Sequence, residues 1–497
     1  MVTLRLSQVG PLSGGGYPIE IAVEGVGPRR TAVATVGPIM DEADRARIRW
    51  YLEDYLIRNA DPAPKVAAGV ERRMVEIGRQ LFSAIFEANR DTTRLWNQVS
   101  DRLADTRVEI SASIREAHTV PWELLRDPRT DAPLALNAAE FVNVQSQVAR
   151  QPQIMSKEAD GPARILMVIC RPRGADDVSF RSVAIRIVKA LTDVGATTVR
   201  LEVLRPPTFA ELGRRLRQAK ANGRPYHAVH FDGHGLYIDI ADLAELEHQE
   251  EFDPQRLRPP TPAGARGYIC FESDVRANRI FPVDGVTLGN LLYETAVPTL
   301  MLNACRSGHA PAVPLDNVEA TDVPAPLAQE DQVRAYGSFA QAVVDAGVAG
   351  VVAMRYNVYV TTAAQFVGEL YQTLTQGHTL GHAASLARKH LNDDRVRTVT
   401  GEPVELQDWL VPAIYEAAPI TLFPRRDIVE PLFDDTAWTA STQSSELPRV
   451  PDAGFIGGDE TLLANRSCLR PASDRADTCV CRQRQDCDRS RVRTLVP

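Results

Sequence analysis

His234 and Cys305 each close a short apolar run and sit among very small neighbours. The first run ends in His230-Phe-Asp-Gly-His-Gly235, and the second is Val297-Pro-Thr-Leu-Met-Leu-Asn-Ala-Cys-Arg-Ser-Gly308. An imidazole beside a thiol suits nucleophilic acyl transfer. A free thiol has a pKa of about 8.5, so only a few per cent is thiolate near neutrality. A neighbouring imidazole raises that fraction and later protonates the leaving amine. The backbone N–H groups of Gly235 and Cys305 are candidates to face one developing oxyanion, each such donor being worth roughly 10²–10³ in rate. Gly233, Gly235, Ala304 and Gly308 leave room for a peptide backbone to approach. Two bland readings stay open on the residues alone. A cysteine at a strand end is commonly a buried apolar residue, and Gly-His-Gly is commonly a turn carrying a solvated histidine.

The two motifs need elements that bring them together. Residues 1–150 read as a mixed α+β N-terminal domain. Glu20 to Glu24 and Arg30 to Val36 form a hairpin pair. Ile48, Leu52 and Leu56, then Met74, Ile77 and Leu81, recur at helical spacing. Pro121-Trp-Glu-Leu-Leu125 starts a short helix, because proline suits a first helical position. Residues 151–163 are polar and read as a linker. From Arg164 the pattern alternates. Arg164-Ile-Leu-Met-Val-Ile-Cys170 is a near-continuous apolar run, as in a strand covered on both faces. Strands near 199–204, 267–272, 299–303 and 350–354 follow, with helices over 182–194, 208–222, 286–294, 336–346, 361–375 and 379–391. Trp409 to Glu416 closes with a strand. This alternation predicts an α/β domain over 164–425, with a mostly parallel sheet flanked by helices. In such a sheet the carboxyl ends of neighbouring strands share a crevice, and His234 and Cys305 both read as lying just beyond such ends. Two long segments, 239–264 and 309–332, follow the candidate base and the candidate nucleophile and read as active-site walls. Residues 426–497 carry no apolar period and read as a disordered tail.

Composition excludes several classes. The chain has 497 residues, 44% of them hydrophobic and 24% charged, with a net charge of −8. That balance gives no electrostatic footprint for nucleic acid. No run of 18 apolar residues marks a membrane span, and the N-terminus lacks a signal-peptide pattern. Outside the tail the cysteines are only Cys170, Cys270 and Cys305, which fits a reducing, cytoplasmic compartment. No Gly-Lys-Ser or Gly-Lys-Thr marks a phosphate loop. His227, His230 and His234 with Asp232 raise a metal site as a rival. On a strand, however, His227 and His230 would face opposite ways, and no further ligand pair is clear. His378 and His382 are four apart on a helix but exposed. The four tail cysteines, Cys468, Cys479, Cys481 and Cys487, fit no common zinc spacing. No metal or cofactor is expected.

His230-Phe-Asp-Gly-His-Gly235 together with Leu302-Asn-Ala-Cys-Arg-Ser-Gly308 resembles the CHAT domain, a bacterial branch of the caspase-like cysteine peptidases. Val120-Pro-Trp-Glu-Leu-Leu-Arg-Asp127, Gly347-Val-Ala-Gly-Val-Val-Ala-Met-Arg355 and Trp409-Leu-Val-Pro-Ala-Ile-Tyr-Glu416 extend the likeness over roughly 110–420. The resemblance implies a caspase-like fold and peptide-bond hydrolysis, with His234 as general acid/base, Cys305 as nucleophile and Gly235 as oxyanion donor. It places Asp232, Arg355 and Tyr356 near the substrate cleft, while a structural ion pair is the other reading of Arg355. It further implies a specific protein substrate in bacterial defence or programmed cell death. A non-catalytic signalling or scaffold module is the alternative. Phe455-Ile-Gly-Gly-Asp-Glu-Thr-Leu-Leu463 resembles the opening of an NTPase fused behind some CHAT domains. That leaves a regulatory protein or an NTPase as a partner, although no NTPase follows.

Overall fold

The computed structural model describes residues 1–10, 15–57, 59–111, 120–144, 150–152, 162–172, 199–238, 266–275, 279–305, 339–356, 358–398 and 403–423. The expected helix over 182–194, most of the linker, the segments 239–264 and 309–332, and the tail lie outside them.

The strands in chain order are β1 (Val2–Gln8), β2 (Tyr17–Glu24), β3 (Arg30–Val36), β4 (Thr106–Ser111), β5 (Arg126–Asp127), β6 (Ala132–Pro133), β7 (Glu140–Val144), β8 (Ala163–Ile169) and β9 (Val199–Val203). They continue with β10 (Ala228–Ile238), β11 (Arg266–Glu272), β12 (Ile280–Asp284), β13 (Thr299–Cys305), β14 (Gly350–Met354), β15 (Val396–Thr398), β16 (Pro403–Glu405) and β17 (Pro412–Glu416). Thirteen of them make one mostly parallel sheet in the order β12-β11-β10-β13-β14-β17-β7-β4-β1-β2-β3, with β8 also on β10 and β9 on β8. β5 with β6 and β15 with β16 are separate two-stranded pieces.

The near-continuous apolar run of 164–170 behaves as its composition demands. In β8 every residue but Arg164 is buried, because helices cover both faces. Ile165, Met167, Ile169, Met301, Val352 and Ile414 join one core. That core also holds apolar residues of the helices Val360–Thr375 and Leu380–Asp393. Leu166, Val168, Leu300, Leu302, Val351 and Ala353 join a second core. It is closed by the helices Phe209–Ala221 and Gly285–Glu294 and by helical residues 339–345. The Phe209–Ala221 helix starts where Thr208 accepts a hydrogen bond from the Glu211 N–H, an ordinary N-cap.

The described part of the first 150 residues is mixed α and β, and β1, β2, β3, β4 and β7 join the same sheet. β7 runs parallel to β17, with Tyr415 level with Asn143 and Glu416 with Val144. β2 and β3 form the expected hairpin. The helix Ala63–Phe86 buries Ala67, Val70, Met74, Ile77 and Leu81 along one stripe, at the three-to-four-residue spacing read from the sequence.

Candidate functional site

β10 does not stop at Gly-His-Gly. It runs through the motif to Ile238, so His234 stands on a strand and not in a turn. The reason is a change of neighbour. Over Ala228–Asp232 one side of β10 pairs with β8, in parallel. β8 then ends, and from His234 onward the same side pairs with β11, antiparallel. The other side pairs with β13 from Ala228 to His234 throughout. Gly233 sits at the exchange. A Cβ there would lie 2.9 Å from Phe231 Cε1 and 3.2 Å from Cys170 Cβ. Its smallness is therefore required by neighbours inside the protein. Because β10 continues to a new partner, the sequence expectation that the strand ends at Gly-His-Gly is corrected.

The register brings the two candidate residues together. His234 is the direct parallel partner of Cys305, the last residue of β13. Neighbouring strands lie about 4.8 Å apart, so the two backbones stand side by side. His234 is buried, with 7% of its surface exposed. On its other flank His234 is the direct partner of Cys270 in β11. Cys270 is a fully buried cysteine packed with Ile280 and Leu236. The sequence reading missed this second thiol beside His234, because β12 and the β10–β11 register leave no local signature.

Two residue pairs before His234 and Cys305, a polar network spans neighbouring strands. Asp232 is the direct partner of Asn303, and Asn303 Nδ2 donates to Asp232 Oδ1 at 3.1 Å. Arg171, just past the end of β8, donates from Nη2 to Asp232 Oδ2 at 2.8 Å. Its Nη1 donates to the carbonyls of Asp232 (2.9 Å) and Cys170 (2.8 Å). Its backbone N–H donates to Glu272 Oε1 at 3.0 Å. Burial pushes the Asp232 carboxyl up, and the Arg171 guanidinium and the Asn303 amide oppose it. Sequence reasoning did not single out Arg171. The available signal was an arginine following directly on a buried strand whose carboxyl end shares the crevice of His234.

Arg355 and Tyr356 are buried, at 6% and 5% exposure. Arg355 Nη2 pairs with Glu123 Oε2 at 3.2 Å, and Nη1 donates to the Val120 carbonyl at 2.8 Å. The ion-pair reading of Arg355 is thus what the structure displays. Its partner lies in the Pro-Trp-Glu-Leu-Leu segment, which forms a short 3-10 turn over Trp122–Leu124. Glu123 also faces Arg388 Nη2 at 3.7 Å. Burial pushes the Tyr356 phenol up to about 12.

The other histidines have separate surroundings. His227 lies in a bend before β10, so the strand period does not govern it. Its Nδ1 accepts from the Arg164 N–H at 3.0 Å. His230 Nδ1 lies 3.1 Å from the Tyr371 hydroxyl, and burial pushes its pKa down to about 4. Both approach the ring cluster of Tyr371 and Phe423, where opposite faces were expected. The bend before the strand accounts for the difference. Among the described residues, no group of three or more His, Cys, Asp or Glu residues is arranged to hold a metal ion. None of their helices is long and apolar enough to cross a membrane.

Comparison with known proteins adds the family. No curated protein matches the sequence. Among solved structures, the chain is similar to separase of Saccharomyces cerevisiae in its complex with securin, at 10% identity and a TM-score of 0.41. The likeness covers 84% of this chain but only 30% of the separase chain. A second similarity is to the Arg-specific cysteine proteinase gingipain R, at 11% identity and a TM-score of 0.33, covering 78% of this chain and 75% of that one. These structural likenesses are distant. The CHAT domain family model, by contrast, matches residues 75–425, a span that holds both motifs and every strand from β4 to β17. The chain belongs to the CHAT domain family.

Proposed function

We propose that this chain is a cysteine endopeptidase that cleaves a specific protein partner through a His234–Cys305 dyad. The observation that carries the reading is the register: His234 and Cys305 are direct partners on adjacent parallel strands, at the carboxyl end of β13. The Cys305 thiolate attacks the scissile carbonyl, and the C–N bond breaks as His234 protonates the leaving amine. Water, deprotonated by His234, then hydrolyses the thioester. The N–H groups of Gly235 and Cys305 are the oxyanion donors in this reading. Cys305 is preferred over Cys270 because Cys270 is fully buried in an apolar cluster, and buried thiols in apolar surroundings are inert. In the same reading the enzyme works in the bacterial cytoplasm, in defence or programmed cell death, under a regulatory protein or an NTPase. Asp232 and Arg355, held by the ion pairs described above, and the buried Tyr356 would shape the substrate cleft from beneath.

The test is labelling of the full chain with a thiol-reactive peptidyl ketone, followed by peptide mapping. The expected result is one adduct on Cys305 that disappears in His234→Ala. One observation favours the second reading, a non-catalytic scaffold: Asp232, two residues before His234, and Arg355 are held in internal ion pairs. Absence of any Cys305 adduct, in the presence of the partner as well, would favour that reading.

A further inference from the structure

We infer that Arg171 is a positioning residue for the dyad: through Asp232 it fixes where His234 stands relative to Cys305. The inference rests on the dyad reading and deepens it.

β10 exchanges β8 for β11 along its length. Where β8 ends and β11 takes over, the strand ladder is interrupted, and buried backbone carbonyls there need donors. The Cys170 N–H donates to the Asp232 carbonyl at 2.9 Å, continuing the β8 side by one residue. Arg171 supplies the rest, with one nitrogen on the carbonyls of both Cys170 and Asp232. A guanidinium suits this place because its planar fork serves several acceptors at once, whereas an ammonium is a point charge. Its charge is matched by the Asp232 carboxylate, and both side chains are buried, at 4% and 6% exposure.

Four strands meet in this one network. Arg171 follows β8, Asp232 belongs to β10, Asn303 to β13, and Glu272, which accepts the Arg171 N–H, to β11. Asp232 and Asn303 are direct partners, and the next partners two residues on are His234 and Cys305. Asp232 and His234 are two apart on a strand and so share a face. A lateral shift of β10 against β13 would therefore move the imidazole and break the Asp232–Asn303 contact together. Displacements of about 1 Å at a reacting pair cost on the order of 10² in rate. The expected consequence is that loosening Arg171 weakens the thiol–imidazole coupling before it unfolds the sheet.

The experiment measures the pH dependence of iodoacetamide alkylation at Cys305 in the full chain, resolved from Cys170 and Cys270 by peptide mapping, with thermal melts alongside. A coupled thiol alkylates with a midpoint below that of a free thiol. The inference predicts that Arg171→Gln raises the midpoint by about one pH unit, or about tenfold slower alkylation at pH 7, while Arg171→Lys gives an intermediate shift. Midpoints in both variants equal to wild type, whatever their melting temperatures, would overturn it and leave Arg171 a purely structural residue. If Arg171→Gln does not fold, the midpoint of Arg171→Lys decides alone. His234→Ala separates the two levels. If it leaves the Cys305 midpoint unchanged, the dyad reading fails and this inference with it. If it raises the midpoint and the Arg171 variants do not, only this inference fails.

Discussion

At the scale of single residues, the site is defined by what lies immediately around His234. Gly233 is small because Phe231 and Cys170 occupy the space a side chain would need. A methyl group added there overpacks a tight junction, which typically costs about 1–3 kcal/mol. Gly233→Ala is therefore expected to lower the unfolding free energy measured by urea titration by that amount; an unchanged stability would mean that β8 and β10 separate freely at this point. Glu123 is the second residue with an outsized role. It is fully buried and faces two buried guanidinium groups, Arg355 and Arg388. Removing one partner of a buried ion pair costs about 3–5 kcal/mol, because the other charge is left uncompensated. Denaturant unfolding of Glu123→Ala should show a loss of that size, and a loss below about 1 kcal/mol, within the range of a surface pair, would contradict the assignment.

At the scale of elements, most of the peptidase-like half was legible. The apolar run of 164–170, the strand at 350–354 and the helix of 360–375 stand close to where periodicity placed them. Covered parallel strands and amphipathic helices write strong local patterns. What was not legible depends on register. β10 reads locally as a strand ending at Gly-His-Gly, yet it continues because β11 replaces β8 beside it. The same exchange sets Cys270 next to His234 and makes Arg171 necessary. β1 and β12 were overlooked because partly exposed residues interrupt the apolar residues of each. In β1 the burial alternates along the strand, so it lacks a continuous apolar signal. The candidate pair itself was found because the motif residues carried it, and the structure adds that the two are level across adjacent strands.

At the scale of the whole molecule, the described N-terminal strands and the strands around the site form one sheet, joined at β7 and β17. A buried charge cluster crosses this join. Arg107 of β4 reaches Glu109, Glu140 of β7 and Glu416 of β17, and Arg5 of β1 also reaches Glu109. Burial pushes the Glu416 carboxyl up to about 7, against the pull of Arg107. A raised folded-state pKa means that its contribution to stability is fully present below the unfolded value near 4.5 and is lost as pH rises through about 7. A shift of this size corresponds to roughly 3 kcal/mol. Wild type should therefore lose stability relative to Glu416→Gln between pH 5 and pH 8; equal slopes in urea titrations would contradict this. The sheet join matters because it holds the strands whose ends carry His234 and Cys305. The most direct measurement of that pairing is mass mapping of the adduct formed with a thiol-reactive peptidyl ketone in wild type and in single cysteine variants. The account predicts one adduct, on Cys305, retained in Cys170→Ala and Cys270→Ala and lost in Cys305→Ala and His234→Ala. An adduct on Cys270, or one on Cys305 that persists undiminished in His234→Ala, would contradict it.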